Sequence, residues 1–184
     1  MINFFITGYP RSRTCWLANM FTYGTSYCFH ELSKYGKTVD ELKYQLNSRD
    51  ETHVGTADCL APYYLGDLSK NLENIVTIFI ERDLDDVKAD LENWLGALPP
   101  EIEKQFPEYT EKLEAFKEKY NPMIVKFKDL DKVHVLRKMW AHVGLSYFDE
   151  QRYHMLNELF IHPEKTKYFN NIKTENALAW MGGK

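Results

Sequence analysis

The run Ile2-Asn3-Phe4-Phe5-Ile6-Thr7 is mostly branched or aromatic and stops at Gly8-Tyr9-Pro10. A short apolar run closed by turn-forming residues predicts a buried strand entering a loop. From Thr14 the spacing becomes helical, with Trp16, Leu17, Met20 and Phe21 recurring on one face. The same alternation then repeats. Ser26 to His30 and Thr52 to Ala57 read as strands, Val39 to Leu46 as a helix, and a helical turn begins near Pro62. Asn74 to Glu81 is the strongest strand, nearly all apolar and β-branched, as a strand covered on both faces should be. Leu84 to Leu95 follows as a helix, with Val87, Leu91, Trp94 and Leu95 on one face and Gly96 to stop it.

Pro99-Pro100 breaks the pattern. Glu101 to Tyr120 is a charged, largely helical stretch with a solvated face, and an interruption is expected near Pro107. Met123 to Phe127 reads as a fifth strand; Val133, Leu136, Trp140 and Val143 mark a helix that Gly144 closes, and Gln151 to Phe160 a last helix. Five strands alternating with helices predict an α/β fold, a mostly parallel five-stranded open sheet flanked by helices. On this reading residues 1–162 form one domain and 163–184 a polar C-terminal tail that can pack on it. Ligands of such sheets lie outside the carboxyl ends of the strands. The loops after Thr7, His30, Ala57 and Glu81 should therefore converge on one site.

Composition narrows the class. The chain has 184 residues, 44% of them hydrophobic, which supplies one sizeable core and excludes a disordered chain. Acidic residues outnumber basic ones by 27 to 23, a net charge of −4, so a globally basic nucleic-acid coat is excluded while a local anion site is not. No apolar run approaches the ~20 residues a bilayer crossing needs, and the N-terminal run lacks the basic leader and cleavage site of a signal peptide. Cys15, Cys28 and Cys59 show no CxxC spacing, which predicts reduced thiols and a cytoplasmic protein. His53, His134, His142, His154 and His162 stand at no metal-ligand spacing, and no metal is expected.

The candidate chemistry lies in Gly8-Tyr9-Pro10-Arg11-Ser12-Arg13-Thr14-Cys15-Trp16-Leu17, between the first strand and the first helix. Backbone N–H groups at a helix start, aided by the helix dipole, make an anion site. Arg11 and Arg13 can add forked donors suited to phosphate or sulfate, and Ser12 and Thr14 hydroxyls. The bland alternative is a pair of solvated loop arginines and a threonine helix cap. An ATP-type loop, Gly-x-x-x-x-Gly-Lys-[Ser/Thr], would need glycine and lysine where the chain has Arg13 and Thr14, which disfavours ordinary kinase or ATPase chemistry.

Pro10-Arg11-Ser12-Arg13-Thr14-Cys15-Trp16-Leu17 resembles the phosphosulfate-binding loop of the sulfotransferase family, Pro-[Lys/Arg]-Ser-Gly-Thr-x-Trp-Leu, and departs from it at the glycine. The segment from Asn74 to Asp90 resembles the family's strand ending in Arg-Asp-Pro and its following helix, which bears a serine eight residues after the arginine. Ile124 to Leu130 and the helix ending Val143-Gly144-Leu145 resemble its Tyr-Glu-Asp-Leu segment more loosely. The resemblance implies a P-loop fold of sulfotransferase type that binds an adenine nucleotide, 3′-phosphoadenosine 5′-phosphosulfate, as donor. Arg11, Ser12 and Thr14, with the loop amides of Arg13 and Cys15, would hold the 5′-phosphosulfate. Trp16 would stack on adenine or else be a core aromatic. Arg82 would grip the 3′-phosphate, and Asp90, at the serine position, would repel it.

Sulfuryl transfer also needs a base near the acceptor. Glu31 and His30 end the second strand at the expected edge, Glu31 being favoured slightly; either can equally be a paired or satisfied edge residue. Asp58, after the third strand, can orient an acceptor or cap a helix. The leading expectation is transfer of a sulfuryl group to a hydroxyl or amine of a small acceptor, with no nucleic-acid or membrane partner. Two others remain: phosphoryl transfer on the same scaffold, motivated by Asp90, and a binding module that has lost the donor site.

Overall fold

The computed structural model describes residues 1–158; the expected tail from 163 to 184 and the end of the last helix lie outside the described residues. The first half of the chain runs β1 (Ile2–Gly8), α1 (Thr14–Phe21), β2 (Ser26–His30), α2 (Val39–Asn47), β3 (His53–Ala57) and α3 (Ala61–Leu68). The second half runs β4 (Ile75–Glu81), α4 (Leu84–Leu95), α5 (Pro100–Glu103), α6 (Phe106–Tyr120), β5 (Met123–Lys126), α7 (Val133–Val143) and α8 (Glu150–Glu158). The five strands form one sheet in the order β2-β3-β1-β4-β5, and every pairing in it is parallel. The sequence pattern placed each strand within a residue or two.

Local chemistry sets the boundaries. The Thr38 hydroxyl accepts from Glu41 N–H while the Glu41 carboxylate accepts from Thr38 N–H, a capping box that starts α2. Asp83 caps α4 by accepting from Asp85 N–H at 2.8 Å, and Gly96 ends that helix at φ 82°. The charged helical stretch is interrupted near Pro107, as expected. The break falls at Lys104 and Gln105, and Pro107 sits in the first turn of α6, where a missing N–H costs nothing.

Alternation along β1 sends Phe4 and Ile6 to one face of the sheet and Phe5 to the other, all three fully buried. The first face packs against α1, α7 and α8 through Leu17, Phe21, Met139, Trp140 and Tyr153. The second packs against α2, α3, α4 and α6 through Leu42, Leu65, Val87 and Leu113. Burying each such side chain contributes about 1.5–3 kcal/mol. The chain thus leaves β1 for the first face, while it leaves both neighbours of β1 for the second. That switch opens a crevice at the carboxyl end of β1. No described helix is long and apolar enough to cross a membrane.

Gly8 closes β1 against β4: a Cβ there would lie 2.5 Å from the Ile80 carbonyl oxygen. Gly8→Ala is expected to destabilise the fold by about 1–3 kcal/mol through overpacking, measured as a lower urea midpoint with an unchanged m-value.

Candidate functional site

Residues 9–13 carry the chain from β1 into α1. Arg11 and Arg13 both take left-handed backbone, with φ of 66° and 59°. That conformation costs a non-glycine residue about 1–2 kcal/mol, so the surroundings must hold it. Arg13 stands where the resembled motif has glycine, and the turn keeps the glycine-like geometry without the glycine.

α1 has no side-chain cap at its N-terminus. The first helical bond runs from Leu17 N–H to the Arg13 carbonyl at 2.9 Å, and no described residue accepts a hydrogen bond from the N–H groups of residues 12–16. Ser12 is fully buried and its hydroxyl has no partner among the described residues. Successive unpaired N–H groups around a left-handed turn at a helix start form a nest for an anion.

The flanking side chains divide. Arg11 is exposed, its guanidinium carbon 5.4 Å from the centre of the Trp94 ring. Arg13 turns away from the nest: it pairs with Asp131, donates to Asn157 Oδ1 at 3.2 Å and lies 4.3 Å over the Trp16 ring. Only its backbone N–H is left for an anion. Trp16 is 8% exposed and meets Tyr153 edge-on, so core packing, rather than an open face for a base, describes it.

His30 and Glu31 come together with the loop at the sheet edge, as expected. Thr14 Oγ1 lies 3.5 Å from His30 Nε2, which lies 3.8 Å from Glu31 Oε1. Glu31, itself left-handed at φ 58°, pairs with Lys34. Burial raises the Cys15 thiol pKa, and the Lys34 ammonium offsets that rise only in part.

Arg82 and Asp90 are also adjacent, but not as separate phosphate contacts. The Arg82 side chain is 7% exposed; its Nη1 donates to the Arg11 carbonyl at 2.7 Å and its Nη2 pairs with Asp90. The expected charge conflict at Asp90 is met by this pair. A cleft of about 470 Å³ opens beside it at the ends of β4 and β5, lined by Glu81, Arg82, Asp83, Lys126, Phe127 and Lys128 among others.

Two supports of the site come from further away. The Tyr109 hydroxyl shares its single proton between the Gly8 carbonyl, at 2.9 Å, and the Cys59 carbonyl, joining the ends of β1 and β3. It lies on a stretch read as solvated, although Tyr109, Leu113 and Phe116 already stood at helical spacing there. Asp58 is fully buried and accepts from Ser33 N–H and Leu60 N–H, both at 2.8 Å, and from the Tyr64 hydroxyl at 3.0 Å. Burial pushes its carboxyl above the usual range and these donors pull it back. Asp58 anchors the turns after β2 and β3 and does not cap α3, whose N-cap is Leu60 with no side-chain bond, because its carboxylate is taken up by these three donors. Among the described residues no group of three His, Cys, Asp or Glu side chains is placed to hold a metal ion.

No protein-family model matches the chain, and no curated protein matches it in sequence. Among solved structures it is similar to the mouse sulfotransferase SULT7A1 complexed with PAP, at a TM-score of 0.61 and 15% identity, covering 100% of this chain and 76% of that one. The chain is therefore an α/β protein, a five-stranded parallel sheet flanked by helices, whose fold matches that of this sulfotransferase. At such identity the likeness is one of fold.

Asp58→Asn would set an amide N–H₂ against one of the N–H donors that the carboxylate now accepts. A loss of about 1–3 kcal/mol is expected from the unpaired buried groups, read by chemical denaturation.

Proposed function

We propose that this chain is a sulfotransferase-like enzyme that moves a sulfuryl group from 3′-phosphoadenosine 5′-phosphosulfate to a hydroxyl or amine of a small acceptor. The observation that carries this reading is the run of unpaired N–H groups at residues 12–16, with the buried Ser12 hydroxyl beside it. The fold likeness to a sulfotransferase complexed with PAP supports it. Three free cysteines support a reducing, cytoplasmic setting.

The residues present fit the sulfate-bearing 5′ end of such a donor. The loop amides, the Ser12 and Thr14 hydroxyls and the Arg11 guanidinium would stabilise the charge that grows on the leaving phosphate oxygen. The acceptor oxygen or nitrogen forms its bond to sulfur in line as the bond from sulfur to the bridging phosphate oxygen breaks. Glu31, or His30 beside it, takes the proton that the acceptor loses. Lys34 pairs with Glu31 and holds its carboxylate beside His30 at the sheet edge. Phosphoryl transfer loses its motive, because the Asp90 carboxylate is engaged by Arg82 instead of standing open to magnesium.

Two outcomes follow. Arg11→Ala should weaken binding of 3′-phosphoadenosine 5′-phosphate about tenfold or more by calorimetry, the cost of one charge-assisted contact. Glu31→Gln should lower kcat about 100-fold with little change in donor affinity, as loss of a general base does. The assay is transfer of labelled sulfate to a panel of small alcohols, phenols and amines. Absence of both nucleotide binding and transfer would leave the binding-module reading in its place.

A further inference from the structure

The contacts of Arg82 all point inward. Besides the Arg11 carbonyl and Asp90, its guanidinium carbon lies 4.1 Å from the centre of the Phe127 ring, and its Nε is buried without a partner among the described residues. Its partner Asp90 stands on α4 with its side chain 43% exposed, while the Arg82 side chain is 7% exposed. The peptide that Arg82 grips joins Arg11 to Ser12. In a trans peptide the carbonyl and the following N–H point in opposite directions, and the chain has no cis bonds among its described residues. Holding the Arg11 carbonyl therefore aims the Ser12 N–H away from Arg82, at the start of the unpaired run.

We infer that Arg82 and Asp90 are a positioning pair for the anion loop: Arg82 acts through the Arg11 carbonyl to aim the Ser12 N–H, and Asp90 holds Arg82 to that task. The inference rests on the reading of the loop as an anion site. It also sets a limit on specificity. A second anionic group approaching Arg82 must displace a carboxylate already paired there, so the loop recognises the sulfate- or phosphate-bearing end and Arg82 adds no grip on another phosphate. Left-handed Arg11 fits this role, since its strained backbone is what turns the carbonyl toward Arg82.

The test is an NMR titration of the full chain, labelled with nitrogen-15, comparing wild type with Arg82→Lys, Asp90→Ala and Asp90→Asn. Inorganic sulfate, adenosine 5′-phosphate and adenosine 3′,5′-bisphosphate are the probes, and the Ser12 and Thr14 amides are the readout. Asp90→Ala and Arg82→Lys should shift the Ser12 amide before any ligand is added and weaken sulfate about tenfold, as loss of a charge-assisted bond does. Asp90→Asn keeps an acceptor for Arg82 and should restore most of that affinity, a rescue that general destabilisation would not give. Both nucleotides should weaken by the same factor. An unmoved Ser12 amide with unchanged sulfate affinity overturns the inference, and so does Asp90→Ala that tightens the bisphosphate alone. Failure of sulfate to bind wild type overturns it together with the loop reading. Sulfate binding that depends on the pair, without nucleotide binding, upholds it and overturns only the proposed enzyme.

Discussion

With β1 in the middle of a parallel sheet, the chain has to turn out of it between two occupied strand ends. The turn taken here leaves consecutive backbone donors without acceptors at the start of α1. The buried Ser12 hydroxyl, unpaired among the described residues, adds a cost of about 1–3 kcal/mol, and two left-handed arginines add strain. Such a loop persists only if the structure around it is fixed. Three groups from three other elements do this. Tyr109 of α6 holds the Gly8 carbonyl at its entrance, and Arg82 at the end of β4 holds the Arg11 carbonyl at its turn. Asp58 at the end of β3 ties down the turn that follows Glu31.

What was legible in the chain was what has a period or a local signature. The apolar run to Thr7, the helical spacing from Thr14 and the β-branched run before Glu81 place β1, α1 and β4 without reference to anything distant. The loop chemistry at residues 10–17 was legible for the same reason. The supports were not. Arg82 and Arg11 are 71 residues apart, Tyr109 and Gly8 101, and Arg13 and Asp131 118. Pairings over such separations follow from the order of the strands, which alternation alone does not specify. Asp90 illustrates the gap. As a sequence position it is an acid where an anion is expected; in the fold it is the counter-charge of Arg82.

Arg13 shows how a side chain can hold a turn in a conformation that favours glycine. Glycine is favoured at such a turn because it enters the left-handed region without strain. Here an arginine enters it, and its side chain is held by Asp131 before α7, by Asn157 of α8 and by the face of Trp16. Those contacts offset the strain and fasten α8 to the loop. A likeness of fold at 15% identity is what results when backbone geometry is kept by different side chains.

The phenol of Tyr109 binds two strand ends at once, from a helix inserted after α5. α6 therefore cannot undock without freeing the carbonyls of Gly8 and Cys59 together. Helix and loop are thereby coupled in local unfolding, so the charged segment between the fourth and fifth strands governs how often the turn after β1 comes apart.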